Sequence, residues 1–195
     1  MLILASASPR RRKIMEKLGL NFKCLPENID ETLPNNIELS KSAEYLAIKK
    51  AEACLNKHNC DTVIGSDTVV VADGVILGKP KDRYDAARML KTLSGKEHIV
   101  YTGVAIANST KKVSFTSSVT VAFDELSDSD IEWYISTGEP MDKAGAYAVQ
   151  GLACRFIKGI DGDFYSVMGL PAQRLFRELN DFDMGDFKCS QEISE

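Results

Sequence analysis

Histidine is scarce in this sequence and its cysteines are scattered, which removes most kinds of metal site from consideration. Only two histidines, His58 and His98, occur in 195 residues, and neither has the spacing of a metal ligand. The cysteines are odd in number and are never spaced C-x-x-C: Cys24, Cys54, Cys60, Cys154 and Cys189. This pattern argues against a disulfide framework and a zinc site, and it favours a reducing compartment.

Long apolar runs and an excess of positive charge are also absent. No apolar run approaches the roughly 20 residues that cross a bilayer. Residues 1–5 are too short an apolar stretch for a signal peptide, and the basic cluster follows them instead of preceding them. The formal net charge of −4 gives no general attraction to nucleic acid. We therefore predict a cytoplasmic protein that binds neither membranes nor nucleic acid.

What is present is typical of one soluble domain. Apolar residues make up 44% of the chain, enough for a single substantial core. No repeat, linker or composition break divides the sequence. We predict one domain over residues 1–182, followed by a polar, acidic and frayed tail over residues 183–195.

The hydrophobic pattern alternates between strands and helices. A buried strand over 2–5 leads into a helix with Ser8 as N-cap and Pro9 at its first position, which ends at Gly19. The segment 26–40 is predicted to be a long loop. Further helices are predicted over 41–57, 82–93, 127–138 and 171–179, and further strands over 22–25, 62–71, 75–77, 98–107, 113–123, 147–150 and 155–160. This order predicts an α/β fold with a mixed sheet.

The first predicted helix breaks a local rule. Its first turn carries Arg10, Arg11, Arg12 and Lys13, although the free N–H groups there already present positive charge. A bound anion such as a phosphate would resolve the conflict, since it accepts from both the N–H groups and the guanidinium groups. The alternative is a solvated basic helix face. The position directly after a buried strand favours the anion site.

Two further charges lie inside apolar patterns. Lys50 falls within the apolar stripe of the helix over 41–57, so its ammonium either extends to the edge or meets an anion. Asp67 interrupts the apolar run of the strand over 62–71. Such a carboxylate either caps backbone groups at a bulge or is paired with a cation or metal.

Three weaker candidates have equally plain alternatives. Pro80 favours an extended backbone at Lys79 and could thereby direct the Lys79 side chain into a site, or the two residues simply end an edge strand. Glu31 lies in the acidic loop, where solvation is the default. Gln150 follows a predicted strand and could contact the edge of a base, although a surface glutamine is the simpler interpretation.

Together these fragments resemble the Maf family of nucleoside triphosphate pyrophosphatases, from Leu2 to about Leu179. The resemblance rests on the following segments in order: Ser6-Ala7-Ser8-Pro9-Arg10-Arg11, Asp30-Glu31, Lys50-Ala51, Gly65-Ser66-Asp67-Thr68-Val69-Val70, Gly78-Lys79-Pro80, Leu93-Ser94-Gly95, Thr102-Gly103-Val104, Met141-Asp142-Lys143-Ala144-Gly145-Ala146-Tyr147, Gln150-Gly151 and Gly169-Leu170-Pro171.

The resemblance implies hydrolysis between the α- and β-phosphates, a divalent cation, and a homodimer. It implies a fold similar to the inosine triphosphate pyrophosphatases, with an elongated mixed sheet flanked by helices and a cleft between two lobes. Asp67 matches the proton acceptor, and Arg10, Thr68 and Gln150 match positions associated with substrate choice. The pattern resembles the branch acting on dTTP and UTP, with modified pyrimidine nucleotides as further substrates.

These expectations form one mechanistic hypothesis. Asp67 and Glu31 hold Mg²⁺ or Mn²⁺ and its water, with Asp67 as the general base. The helix start and four cations bind the triphosphate: Ser8, Arg10, Arg11, Lys50 and Lys79. Two polar side chains, Thr68 and Gln150, contact the base.

Two other functions remain as alternatives. One is a nucleotide-binding regulator of septum formation without relevant turnover, and the other is a 7-methyl-GTP pyrophosphatase, which Arg10 and Thr68 disfavour. Arg12 has no assigned role in any of them.

Overall fold

The structure is a computed structural model, and it describes residues 1–58 and 62–182. The predicted tail over 183–195 lies outside the described residues, as do Cys60 and Cys189. The strands are β1 (Leu2–Leu4), β2 (Phe22–Cys24), β3 (Thr62–Ala72), β4 (Val75–Leu77), β5 (Glu97–Ala107), β6 (Lys112–Phe123) and β7 (Ile157–Asp161). The helices are α1 (Pro9–Lys17), α2 (Leu39–Lys57), α3 (Arg83–Leu93), α4 (Asp128–Ser136), α5 (Phe164–Met168) and α6 (Ala172–Asp181).

The seven strands form one mixed sheet in the order β2-β1-β3-β5-β6-β7, and β4 pairs with β3 outside this series. Strand β1 is parallel to β2 and β3, and every other pairing is antiparallel. The predicted α/β fold with a mixed sheet flanked by helices is therefore confirmed. Within the described residues, no helix is long and apolar enough to cross a membrane.

One edge of β3 is shared by two short strands that leave a gap between them. Strand β5 occupies the other edge of β3 from Val63 to Val71. On the opposite edge of β3, β1 pairs with it only as far as Ile64, and β4 pairs with it only from Val70 onward. Because β1 is parallel and β4 antiparallel to β3, the carboxyl ends of both short strands point into this gap from opposite directions. The chain segments that follow them, residues 5–8 and 78–80, therefore face each other across residues 65–69 of β3.

Helix α2 packs very closely on the sheet next to this gap. It presents small side chains, Ala43, Ala47 and Ala51, all fully buried. The sheet presents Gly65 on β3 and Gly103 on β5. A Cβ atom at Gly65 would lie 2.1 Å from the Ala47 carbonyl oxygen, and one at Gly103 would lie 2.2 Å from the Ala43 carbonyl carbon. Both distances are far below van der Waals contact, so only glycine allows this approach.

The opposite face of the sheet carries the larger core. Its fully buried side chains include Leu90 of α3, Tyr134 of α4 and Leu175 of α6. His98 is also buried there, with its Nε2 2.8 Å from the Tyr147 hydroxyl. Burial lowers the pKa of His98 to about 4, so the ring is neutral at pH 7.

The predicted strand over 147–150 is wrong. Residues 139–156 form short 3-10 turns and bends instead, at Glu139–Asp142, Ala144–Ala146 and Leu152–Phe156. The chain turns at Val149 and Gln150, where the Gly151 N–H donates to the Ala148 carbonyl at 3.0 Å, so these residues are not extended along a neighbouring strand. The strand predicted over 155–160 starts later, at Ile157, because Arg155 and Phe156 still belong to the turn Leu152–Phe156.

A short helix that the sequence did not predict, α5, starts directly after Asp163. The Asp163 carboxylate accepts from the N–H groups of Tyr165 and Ser166 and so caps α5. At five residues, α5 is too short to show helical periodicity in the sequence.

We expect Gly103→Ala to lower the free energy of unfolding by about 3 kcal/mol or more, because α2 must move away from β5. Gly159→Ala in β7 is the matched control, since nothing lies within 4 Å of the new Cβ atom. Urea denaturation of both variants measures the difference. Equal stability of the two variants would show that α2 has room that the structure does not show.

Candidate active site

A cleft of about 720 Å³ opens at the gap in the edge of the sheet. Its walls come from the start of α1, the middle of β3, the end of β4, helix α2 and residues 142–149 and 167–169. Five cations and three carboxylates line it: Arg10, Arg11, Lys50, Lys79, Lys143, Glu31, Asp67 and Asp142. The cleft thus carries an excess of two positive charges in a protein whose formal net charge is −4.

The start of α1 is built as the sequence predicts. Ser8 is the N-cap, with its Oγ 3.5 Å from the Arg11 N–H nitrogen that donates to it, and Pro9 occupies the first helical position. Arg10 and Arg11 line the cleft. Arg12 does not, because its Nε donates to Glu16 on the exposed side of the helix at 3.1 Å. The basic run is therefore divided between the cleft and the solvent.

Lys50 joins the two candidate carboxylates. Its Nζ lies 2.5 Å from Asp67 Oδ1 and 2.8 Å from Glu31 Oε1. The side chains of Lys50 and Asp67 are 15% and 14% exposed, whereas that of Glu31 is 60% exposed. The ammonium on the apolar stripe of α2 thus meets an anion, and this anion is a carboxylate of its own chain. The hydrogen bond from Lys50 is the main cause that lowers the pKa of Glu31.

Glu31 reaches the cleft because its loop is tied to α2. The Nζ of Lys49 donates to the Asp30 carbonyl oxygen. Lys57 and His58 hold Glu27, another residue of this loop, at 2.8 and 2.6 Å. This loop shows no helix or strand pattern in the sequence, and side chains of α2 and of its C-cap residue hold it in place.

Arg11 is fixed by three hydrogen bonds to neutral oxygens. Its Nε donates to the Gly169 carbonyl at 2.8 Å, its Nη1 to Ser6 Oγ at 3.2 Å and its Nη2 to Thr68 Oγ1 at 3.1 Å. Burial lowers the pKa of Arg11, but a guanidinium keeps its charge in proteins. Within residues 1–58 and 62–182, these bonds engage three of the five guanidinium N–H groups, which leaves two for a ligand in the cleft.

Asp67 and Thr68 are adjacent on β3, so their side chains lie on opposite faces of the sheet. Asp67 points toward α2 and Lys50, and Thr68 points toward Arg11. Both line the cleft because the gap opens the edge of the sheet at this point. One strand therefore supplies both walls of the site.

The remaining predicted residues are divided by the structure. Lys79, in the segment that follows β4, lines the cleft and lies near enough to Glu31 to contribute to lowering its pKa. Gln150 is exposed in the turn after Val149, which does line the cleft. The contact of Gln150 with a base stays a prediction.

Sequence reasoning assigned no role to two charged residues in the cleft wall, Asp142 and Lys143. The Lys143 side chain is only 13% exposed, and its Nζ contacts the Asp142 carboxylate and the Glu139 carbonyl. Lys143 and Arg10 both lower the pKa of Asp142, so Asp142 faces the start of α1. The sequence feature that could have indicated them is a charged pair directly before the small residues 144–146.

The fold and the cleft define an α/β protein with a basic site at the split edge of its sheet. The chain belongs to the Maf family, since residues 1–182 match the family described as "Maf-like protein". It is 46% identical over 185 residues to the dTTP/UTP pyrophosphatase of Acholeplasma laidlawii, covering 94% of this chain and 97% of that protein.

Two further relatives carry the same name. The Pelotomaculum thermopropionicum protein is 47% identical, covering 93% of this chain and 96% of its own length, and the Bacillus cytotoxicus protein is 45% identical, covering 94% and 96%. A solved structure of a Vibrio cholerae protein matches with a TM-score of 0.37 at 7% identity, over 60% of this chain and 59% of that one.

We expect Lys50→Met to raise the pKa of Glu31 toward its ordinary value of 4.5, because the ammonium that stabilises the ionised carboxylate is removed. Carbon NMR titration of the Glu31 carboxyl group measures this shift. Lys41→Met removes a cation of α2 that pairs with Glu44 instead and should leave the titration unchanged. An unaltered Glu31 titration in Lys50→Met would contradict the ion pair.

Proposed function

We propose that this protein is a nucleoside triphosphate pyrophosphatase that hydrolyses dTTP and UTP to the monophosphate and pyrophosphate. The observation that carries the proposal is the pair of carboxylates, Asp67 and Glu31, held on one ammonium beside the basic start of α1. A site that only bound nucleotide would need the cations but no buried carboxylate among them.

The cations of the cleft suit a triphosphate. Arg10 lies at the N-terminus of α1, where free N–H groups and the helix dipole also favour an anion. Two N–H groups of Arg11 that have no partner in the described part of the chain add to this side of the cleft, and Lys79 extends from the segment after β4 on the other side. A polyphosphate chain placed across the gap would contact cations from the segment after β1 and from the segment after β4.

The carboxylates fit a divalent cation with few protein ligands. Within residues 1–58 and 62–182, no three His, Cys, Asp or Glu side chains are grouped to hold a metal. Mg²⁺ usually takes one or two protein carboxylates and completes its octahedron with water and phosphate oxygens. Asp67 and Glu31 suit this role because both already converge on one cation, the Lys50 ammonium. When bound, Mg²⁺ or Mn²⁺ would neutralise phosphate charge and lower the pKa of a coordinated water.

The residues of the cleft then supply the hydrolytic step. Water attacks the α-phosphorus, the bond from that phosphorus to the bridging oxygen breaks, and pyrophosphate leaves with the oxygen. Asp67 accepts the proton of the attacking water, and Lys50 orients Asp67 through their 2.5 Å contact. Arg10, Arg11 and Lys79 stabilise the charge that develops on the phosphates.

The choice of dTTP and UTP is supported by the names of relatives at 45–47% identity that match over more than nine-tenths of both chains. Thr68 and Gln150 are the proposed contacts to the base. The proposal also includes a homodimer in the cytoplasm, in keeping with the reducing compartment expected from the cysteines. Hydrolysis of dTTP and UTP by the purified protein would exclude the alternative of a nucleotide-binding regulator without turnover. A preference for 7-methyl-GTP would contradict the choice of pyrimidine nucleotides.

We expect Asp67→Asn to lower kcat for dTTP about 10²- to 10⁴-fold, the range for loss of a general base. Pyrophosphate release with Mg²⁺ or Mn²⁺ is the measurement. Asp73→Asn, which removes an exposed carboxylate at the β3–β4 turn, is the control and should keep full activity. Near-normal turnover in Asp67→Asn would remove Asp67 from the mechanism, and orthophosphate as the product would refute cleavage between the α- and β-phosphates.

We expect Arg10→Ala to raise KM for dTTP about tenfold, because a charge-assisted contact to phosphate is lost. Arg12→Ala should change KM by less than about twofold, since Arg12 pairs with Glu16 outside the cleft. Steady-state kinetics on the two variants compare neighbouring arginines on one helix turn. Equal effects would contradict the division of the basic run.

A further inference from the structure

Thr102 lies behind the cleft, on β5, and has no part in the chemistry proposed above. It is fully buried and stands directly opposite Thr68 in the register of β3 and β5. Its Oγ1 is 2.7 Å from the Ser166 carbonyl oxygen and 3.0 Å from Thr68 Oγ1. Thr102 thus connects a residue of the cleft wall to the main chain of α5.

The direction of each hydrogen bond in this series is fixed. A carbonyl oxygen only accepts, so the single hydroxyl proton of Thr102 goes to Ser166. Thr68 must therefore donate its own proton to Thr102. Because that proton is committed, Thr68 Oγ1 can only accept, and it accepts from Arg11 Nη2 at 3.1 Å.

The Arg11 guanidinium depends on acceptors of this kind. Its Nε donates to the Gly169 carbonyl, which also accepts from Ser66 Oγ at 2.9 Å. Gly169 has a φ of 113°, and a Cβ atom there would lie 3.2 Å from Arg11 Nε. The pocket behind Arg11 is therefore closely fitted, and a hydroxyl turned the wrong way would place its hydrogen against the guanidinium.

We propose that Thr102 is a positioning residue: by taking the proton of Thr68, it keeps Thr68 an acceptor and so holds Arg11 with two N–H groups directed to the phosphates of the nucleotide. This inference rests on the proposed function in that the ligand is a phosphate chain. Thr102 acts through Thr68 and touches neither the ligand nor the guanidinium.

Thr102→Val keeps the shape of the side chain and removes the hydroxyl. The Thr68 proton then loses its acceptor and competes with Arg11 for the same space. We expect the Kd of pyrophosphate, measured by calorimetry, and the KM for dTTP to rise about tenfold, with kcat changing less than about twofold. Thr102→Ser keeps the hydroxyl and should bind pyrophosphate within about twofold of the unaltered protein.

A double-mutant cycle tests whether Thr102 acts through Thr68. Thr68→Val removes the hydroxyl that connects Thr102 to Arg11. Adding Thr102→Val to this variant should therefore weaken pyrophosphate binding no further. Additive effects would overturn the proposal, as would equal losses in Thr102→Ser and Thr102→Val. If Thr102→Val does not fold, Thr68→Val compared with Thr68→Ser makes the same test, and only the valine variant should lose affinity.

Ser42→Ala is the matched control, since Ser42 is a fully buried hydroxyl that donates to the Leu39 carbonyl away from the cleft. It should leave the Kd of pyrophosphate unchanged. The two proposals fail separately in this design. Absence of nucleotide turnover together with the expected pyrophosphate affinities would refute the proposed function alone, and normal turnover with unaltered affinities in both valine variants would refute the role of Thr102 alone.

Discussion

The close contact between α2 and the sheet at Gly65 and Gly103 is the constraint on which the site depends. Gly103 is the register partner of Asp67, so one of the two close contacts lies directly beside the carboxylate. With α2 at this distance, Lys50 reaches Asp67 with most of its side chain buried. A larger residue at Gly103 would displace the helix, its lysine and the loop of Glu31 that the helix holds in place.

Much of the fold follows from local patterns. The cap at Ser8, the helix predicted over 127–138 and the strands predicted over 75–77 and 113–123 each correspond to an element of the structure. Residues 139–156 could not be predicted in the same way. Their conformation depends on contacts with distant residues, such as the hydrogen bond from the Gly145 N–H to the Gly78 carbonyl, and no periodicity records such contacts.

The site shows the same division. Lys50 and Asp67 could be identified singly, because each violates the apolar pattern of its own element. Their pairing required knowledge of how α2 lies on β3. Arg11 lines the cleft and Arg12 faces the solvent because neighbouring side chains on a helix point about 100° apart. Which of the two faced the sheet became clear only from the position of Gly169 and Thr68.

The gap in the sheet edge sets a limit on how this chain can change in evolution. The basic segments after β1 and β4 are separated by residues 65–69 of β3, a span of about 20 Å from Ile64 to Val70 at 3.3 Å per residue. Inserting or deleting one residue here would alter that span and exchange the faces of Asp67 and Thr68. The long loop before α2 can vary in length wherever Glu27 and Glu31 keep their anchors, but this part of β3 has to keep its residue count.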